Sequence, residues 1–96
     1  MADTVTVRTI PRFDRLAKAL RKHHPDFTAH YRDCIAILEK DPHNTSGAHP
    51  IKKLTNVSQG EGQYRLRLRR FRFRFDIYDD TVVLTYCGLR DESTYR

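Results

Sequence analysis

Two stretches near the amino terminus carry apolar residues at the three- and four-residue spacing of amphipathic helices. The first is predicted to begin near Arg12, and its apolar positions are Phe13, Leu16, Ala17 and Leu20. Pro25 interrupts this pattern, and Asp26 is placed to cap a second helix that ends near Lys40. The apolar stripe of that second helix is Phe27, Tyr31, Cys34, Ile35 and Leu38. Two such helices form a hairpin that needs an apolar surface to cover.

Strand patterns on both sides of this helical hairpin supply that surface. Residues around Val5 and Val7 predict a short first strand, and residues 51–57 predict a brief turn or strand lead-in after a polar loop. Further strands are predicted from residue 64 onwards, with Asp79–Asp80 as a turn into a last strand, Thr81 to Cys87.

The resulting order of elements is β-α-α-β-β-β. It predicts an α+β fold in which the helical hairpin packs on one face of a curved, mainly antiparallel sheet. The chain has 96 residues and shows no linker, repeat or low-complexity tract. Residues 1–96 are therefore predicted to form one domain.

The apolar phase changes inside the segment Tyr64–Phe75, which reads YRLRLRRFRFRF. Its leucines occupy even positions and its phenylalanines odd ones, and a strand cannot change faces without a turn or a bulge. A turn at Arg69–Arg70 pairs 68 with 71, 67 with 72, 66 with 73 and 65 with 74. Four arginines then share the face opposite the apolar residues: Arg65, Arg67, Arg72 and Arg74. Because Arg-Arg is unusual in a two-residue turn, a bulge or longer loop that shifts the partners by one is the alternative.

The last strand is expected to continue the same alternation. A two-residue turn at Asp79–Asp80 would place Arg72 opposite Cys87 and Arg74 opposite Thr85. The apolar face would then gain Val82, Leu84 and Tyr86. Asp76 falls on the arginine face by parity, where it would either orient Arg74 or balance charge.

The whole formal net charge of the chain lies in residues 64–75 of this hairpin. The chain has 18 basic and 12 acidic residues, a formal net charge of +6, and the six arginines between residues 64 and 75 leave 12 against 12 elsewhere. Opposed like charges in a sheet cost roughly 0.2–1 kcal/mol per pair, so packing alone does not explain this arrangement. A polyanion with phosphate groups would offset the repulsion. The alternative is a solvated face or a sheet edge protected by charge, for which lysine is the usual residue.

The cysteines, the histidines and the distribution of apolar residues limit the classes of protein to which this chain can belong. Cys34 and Cys87 lack the spacing of a disulfide framework, and the five histidines lack a metal-binding frame. No secretory segment or membrane-spanning apolar run is present in the sequence. We therefore expect a reduced cytoplasmic protein with no membrane segment, no metal and no cofactor.

Five short pieces of sequence, in this order, resemble the RelE/ParE superfamily of bacterial type II toxins. They are Asp41–Pro42, Ile51–Leu54, Gly62–Arg67, Phe71–Ile77 and Arg90 to Tyr95. Together with the helical hairpin, the resemblance covers nearly the whole chain. Members of this superfamily share a β-α-α-β-β-β fold and are neutralised by a co-expressed antitoxin. Most are ribosome-dependent mRNA endonucleases or gyrase poisons.

The RelE-like nuclease branch implies roles for individual residues. Arg65 and Arg67 match residues that grip the mRNA backbone, and Arg72 matches an arginine that stabilises the transition state. Arg90 and Tyr95 match the rest of the family's catalytic site. In that site the ribose 2′-hydroxyl attacks the adjacent phosphate, and no metal takes part.

The same site needs a general base and further phosphate contacts. Guanidinium groups favour a phenolate and lower the pKa of a tyrosine, so Tyr95 is the candidate base. Additional phosphate-binding candidates are Arg74, Lys52 and Lys53. Auxiliary candidates are His49, in the loop before the second strand, and Asp76.

Three functions remain open at this point. The first is a ribosome-dependent endoribonuclease that acts on mRNA and is held inactive by an antitoxin. The second is an inhibitor of DNA gyrase, in which the basic sheet binds protein or DNA without catalysis. The third is a non-catalytic relic that only binds its antitoxin.

Overall fold

A computed structural model describes residues 4–89, which form two helices and five strands. In chain order these are β1 (Thr6–Thr9), α1 (Pro11–His23), α2 (Phe27–Lys40), β2 (Ile51–Lys53), β3 (Tyr64–Leu68), β4 (Phe71–Tyr78) and β5 (Thr81–Leu89). The strand order in the sheet is β1-β5-β4-β3-β2, and β1 runs parallel to β5 while the other pairs are antiparallel. The predicted α+β architecture is confirmed. The predicted turn or strand lead-in forms a strand, β2, at residues 51–53. It pairs with β3 and brings the number of strands in the described chain to five.

The helix bounds follow the proline signals in the sequence. Pro11 opens α1, where its missing N–H would have no intrahelical partner in any case. Helix α1 ends at His23, two residues before Pro25. No helix within residues 4–89 combines the length and the apolar character needed to cross a membrane.

Asp26 stands at the N-cap position of α2, but the prediction that its side chain caps the helix is wrong. Its backbone is helical, at φ −78° and ψ −6°, and within the described chain the carboxylate makes no capping hydrogen bond. Instead, Asp26 Oδ1 accepts a 2.7 Å hydrogen bond from Arg70 Nη2 in the turn between β3 and β4. The carboxylate therefore ties the helical hairpin to the arginine-rich hairpin.

Both helices cover the phenylalanine side of the sheet. The ring of Phe27 in α2 lies 5.3 Å from Phe71 and 5.9 Å from Phe73, measured between centroids. The fully buried core also contains Phe13, Leu38, Leu66, Phe75, Val82 and Leu84. Burying one such side chain stabilises the fold by roughly 1.5–3 kcal/mol. The helices thus define the apolar face, and the residues that alternate with the phenylalanines face away from them.

The register between β3 and β4 is confirmed. Arg65 is opposite Arg74, and Arg67 is opposite Arg72. The connecting turn has two residues, and Arg69 adopts a φ of 59°, which is uncommon for a residue other than glycine. The shifted register considered as an alternative is therefore wrong.

The register between β4 and β5 differs from the prediction because β5 contains a bulge. Phe75 is opposite Leu84, as the two-residue turn requires, but Arg74 is opposite Tyr86. Thr85 is the extra residue, and such an insertion moves all following side chains to the other face of the strand. Its hydroxyl donates to the carbonyl oxygen of Arg74 at 3.4 Å.

Two predicted pairings are corrected by this bulge. Arg72 is opposite Gly88, and Cys87 is opposite Phe73. Tyr86 therefore belongs to the arginine face instead of the apolar face. Cys87 takes the place that Tyr86 was expected to fill in the core.

The two cysteines are buried in that core. Cys34 on α2 is fully buried, and Cys87 is 1% exposed. Burial raises the pKa of both thiols, and for Cys87 to about 12. The ordinary thiol value is ~8.5, so an unfolded chain ionises these groups at a pH where the folded chain does not.

This difference predicts a loss of stability at alkaline pH. Above pH ~8.5 the unfolded chain releases protons that the folded chain retains, so the free energy of unfolding falls as pH rises. Between pH 8 and pH 10 we expect wild type to lose about 2 kcal/mol more than Cys87→Ala. Urea unfolding curves at both pH values measure this. If the free energy of unfolding changes equally with pH in the two proteins, Cys87 is not the group whose ionisation causes the loss.

Candidate functional site

Neighbouring strands present a row of cations on the face of the sheet opposite the helices. Arg65 and Arg67 come from β3, and Arg72 and Arg74 come from β4; all four are half-buried. Lys52 on β2 is opposite Arg65 and is exposed, so it extends the same face. We call Arg65, Arg67, Arg72 and Arg74 the arginine face.

A small cavity opens within the arginine face. It has a volume of about 50 Å³ and is lined by Leu54, Arg65, Arg72, Arg74 and Tyr86. Three arginine side chains thus share a wall with an aliphatic side chain and an aromatic ring. Partial exclusion of water strengthens charge interactions, and the planar guanidinium forms paired hydrogen bonds with phosphate oxygens. This arrangement is suited to holding a phosphate group.

Tyr86 lines the cavity although the sequence pattern placed it on the apolar face. The bulge at Thr85 brings it to the arginine face, and no pattern of apolar residues in the sequence marks a bulge. The ring lies over Gly88: a Cβ at position 88 would come within 3.0 Å of Tyr86 Cζ. On another side, the guanidinium carbon of Arg12 in α1 is 5.4 Å from the ring centroid. Arg12 is a further cation near the site that the sequence did not single out.

Arg74 is held by the loop between β2 and β3. Its Nε and Nη2 donate to the carbonyl oxygen of Gly62 at 3.1 Å and 2.9 Å. Asp76, which is fully buried, accepts hydrogen bonds from the backbone N–H groups of Gly62 and Gln63, each at 2.9 Å. Both predicted residues are therefore attached to the same short stretch of backbone.

His49 lies in the loop that connects α2 to β2, where its Nε2 is 3.8 Å from Asp41 Oδ2. Asn44 contacts its backbone on both sides, accepting from the His49 N–H and donating to its carbonyl oxygen. A hydrogen bond from the Ser46 hydroxyl, aided by the amides of Thr45 and Ser46, lowers the pKa of Asp41. The loop is thus organised around the Asp41 carboxylate, and the His49 ring lies beside it.

The other predicted residues are placed as follows. Lys53 is opposite Tyr64 on the apolar side of the sheet, and its ammonium lies 5.8 Å from that ring. Arg90 and Tyr95 lie outside the described residues. The strand that precedes them ends with Gly88 opposite Arg72 and Leu89 opposite Phe71.

No group of three or more metal-ligating side chains (His, Cys, Asp or Glu) occurs within residues 4–89.

Comparison with known proteins supports the fold. No family model matches the chain, and no curated protein matches it. Among solved structures, a chain of the toxin-antitoxin complex RelBE2 from Mycobacterium tuberculosis is 21% identical with a TM-score of 0.69. That match covers 91% of this chain and 99% of the other.

Two archaeal structures give the same result. A chain of the RelE-RelB complex from Pyrococcus horikoshii OT3 is 22% identical, with a TM-score of 0.62 and coverage of 94% of this chain and 99% of that one. A chain of the RelB-RelE antitoxin-toxin complex from Methanococcus jannaschii is 20% identical, with a TM-score of 0.60 and coverage of 92% and 94%. Similarity at this level of identity shows a shared fold, and the predicted RelE/ParE-like fold is confirmed.

The loop that holds Arg74 depends on a glycine, and this can be tested by substitution. Gly62 has a φ of 84°, and a Cβ there would lie 2.5 Å from Thr85 Oγ1 and 3.0 Å from Arg74 Cβ. Gly60 has a φ of 103° but open space around it. Both alanine variants strain the backbone, whereas only Gly62→Ala also overcrowds the packing. We expect Gly62→Ala to lower the free energy of unfolding by about 1–3 kcal/mol more than Gly60→Ala in urea denaturation. Equal losses of unfolding free energy in the two variants would contradict the close packing at Gly62.

Proposed function

We propose that this chain is the toxin of a type II toxin-antitoxin system and that it cleaves mRNA on the ribosome. The observation that carries the proposal is the convergence of Arg65, Arg72 and Arg74 on one cavity, where Tyr86 and Leu54 limit access of water. The solved structures of similar fold are themselves toxin-antitoxin complexes, which supports an antitoxin as the partner of this chain. Its place of action would be the cytoplasm, where ribosomes translate.

The proposed reaction is attack of a ribose 2′-hydroxyl on the adjacent phosphate. It breaks the bond to the 5′-oxygen of the next nucleotide and leaves a cyclic phosphate. Negative charge builds up on the phosphate oxygens in the transition state, and fixed guanidinium groups stabilise it without reorganising. Arg72 is suited to this role because it lines the cavity and lies between β3 and the end of β5 that leads to Arg90. Arg65, Arg67 and Lys52 would hold the flanking phosphates.

Proton transfer in this proposal is assigned to Tyr95. The resemblance to RelE-type nucleases supplies that assignment, with Arg90 as an additional cation near the phosphate. Neighbouring guanidiniums favour the phenolate form, which removes the proton from the 2′-hydroxyl. The leaving 5′-oxygen takes up a proton from a water molecule, and an arginine assists by donating a hydrogen bond to it.

An antitoxin segment that neutralises this protein would have to cover a strongly basic surface. The arginine face and Lys52 lie on one side of the sheet, so an acidic or amphipathic segment would be attracted to it over a long range. Covering the cavity would exclude mRNA. Neutralisation would then be a direct competition for the same cations.

Mapping of mRNA ends tests the nuclease function. After induced expression, 5′ ends mapped on translating ribosomes should fall at a constant position within codons. Expression of Tyr95→Phe should abolish these ends while antitoxin binding is unchanged, because only a hydroxyl is removed. Intact mRNA together with inhibited DNA supercoiling would refute the proposal in favour of a gyrase inhibitor.

The roles of two arginines should separate kinetically. In single-turnover cleavage, Arg72→Ala should lower the rate constant at saturating enzyme by roughly 10²–10³-fold, as expected for loss of a transition-state donor. Arg65→Ala should mainly weaken binding and reduce the salt dependence of log affinity by about 0.7, the value for one phosphate contact on a single strand. If both variants lose only RNA affinity, and to the same extent, the separate roles of Arg72 and Arg65 are wrong.

A further inference from the structure

One peptide group connects a buried carboxylate to the guanidinium of Arg74. This is the peptide between Gly62 and Gln63: its N–H donates to Asp76 Oδ1 at 2.9 Å, and its C=O accepts from Arg74 Nε and Nη2 at 3.1 Å and 2.9 Å. The second carboxylate oxygen of Asp76 accepts from the N–H of Gly62, also at 2.9 Å. A continuous chain of hydrogen bonds thus leads from Asp76, through backbone, to an arginine that lines the cavity.

The polarity of this arrangement is favourable at each step. The positive end of the peptide dipole points to the carboxylate, and its negative end points to the guanidinium. Hydrogen bonds arranged in series polarise one another, and the effect is stronger where water is excluded. Asp76 is fully buried, and Gly62 is also in the interior. The negative charge of Asp76 therefore strengthens the hydrogen bonds that the Gly62 carbonyl oxygen accepts from Arg74.

The contact also selects which part of Arg74 remains available. A guanidinium has five N–H donors, and the Gly62 carbonyl engages Nε and one side of Nη2. The side chain is therefore fixed in orientation, and its outer donors are those on Nη1 and the rest of Nη2. A cation fixed in advance loses less conformational entropy when it binds an anion.

We propose that Asp76 is a positioning residue for Arg74. Through the Gly62–Gln63 peptide it fixes the guanidinium so that the outer donors of Arg74 face a phosphate of the RNA. The part that concerns RNA depends on the proposed function, whereas the hydrogen-bond relay is a property of the fold and can be tested separately.

The relay is tested first by the mobility of Arg74. In ¹⁵N relaxation measurements the Nε–Hε group of Arg74 should be rigid in wild type, with an order parameter of ~0.85. In Asp76→Asn, which keeps the shape of the side chain, it should fall below ~0.6. Gln59→Ala is the matched control, because Gln59 Nε2 donates to the Ile77 carbonyl at 2.8 Å and fastens the same loop to the same strand. Arg74 that stays rigid in Asp76→Asn, or becomes equally mobile in Gln59→Ala, would overturn the proposal.

A second variant decides the question if Asp76→Asn does not fold. Arg74 is half-buried, so Arg74→Ala should fold, and loss of its guanidinium should weaken the bond at the other end of the peptide. Hydrogen exchange at the Gln63 amide should then be at least 10-fold faster than in wild type. The Glu61 amide, which donates to the Ser58 carbonyl at 3.0 Å in the same loop, should be unchanged. An unchanged Gln63 amide would overturn the relay.

The direction of the change in RNA affinity distinguishes a positioning role of Asp76 from a purely electrostatic one. Asp76→Asn removes a negative charge beside a cationic site, so electrostatics alone would strengthen binding of a polyanion. The relay requires the opposite, and we expect a fluorescent single-stranded RNA to bind about 10-fold more weakly to Asp76→Asn. Combining this variant with Arg74→Ala should add no further loss, because both act through one guanidinium.

The outcomes of the binding experiment are distinguishable. If wild type binds the RNA and Asp76→Asn binds it equally or more tightly, the positioning role is wrong and the proposed function stands. If the double variant loses as much RNA affinity as the two single variants together, the positioning role is likewise wrong. If wild type itself binds no RNA, the proposed function is contradicted, and the relaxation and exchange measurements still decide whether Asp76 holds Arg74.

Discussion

Burial of the phenylalanines of β4 is the constraint on which the arginine face depends. Phe71, Phe73 and Phe75 alternate along one strand, and all three are fully buried beneath the helical hairpin, so the residues between them must face away. Exposing three such rings would cost roughly 4.5–9 kcal/mol. The repulsion of two opposed arginine pairs costs only about 0.2–1 kcal/mol each. Core burial thus outweighs like-charge repulsion, and the concentration of charge is imposed from the opposite side of the sheet.

The bulge at Thr85 and the loop at Gly62 turn this charged surface into a cavity. The extra residue in β5 brings the ring of Tyr86 to the arginine face, and the absence of a side chain at Gly88 leaves room for that ring. Gly62 lies against Thr85 and Arg74 where a Cβ would not fit. Both features lie at the same end of the arginine face, so water is partly excluded there. A guanidinium binds phosphate more strongly in such surroundings than on an open sheet.

The six arginines of this hairpin do not share one task. Arg70 bonds Asp26 and connects the hairpin turn to the start of α2, while Arg69 occupies the turn position with positive φ. Arg74 is bonded to the Gly62 carbonyl and is thereby fixed within the cavity wall. Part of the run therefore holds the fold together, and the site draws on the remainder. A uniform run of one residue type in the sequence becomes several different environments because each position meets a different neighbour.

The sequence by itself determined the two helices, the hairpin at Arg69–Arg70 and the four arginines on one face. These depend on short-range rules, namely the period of the apolar residues, the positions of prolines and the pairing that follows from a two-residue turn. Only the tertiary structure decided that Tyr86 joins the arginines, that Lys53 does not, and that Asp26 and Asp76 bond a turn and a loop far away in the chain. A bulge changes the face of every later residue without altering the apolar pattern that precedes it. Hydrogen bonds between distant segments depend on how those segments pack, which alternation along a single strand does not encode.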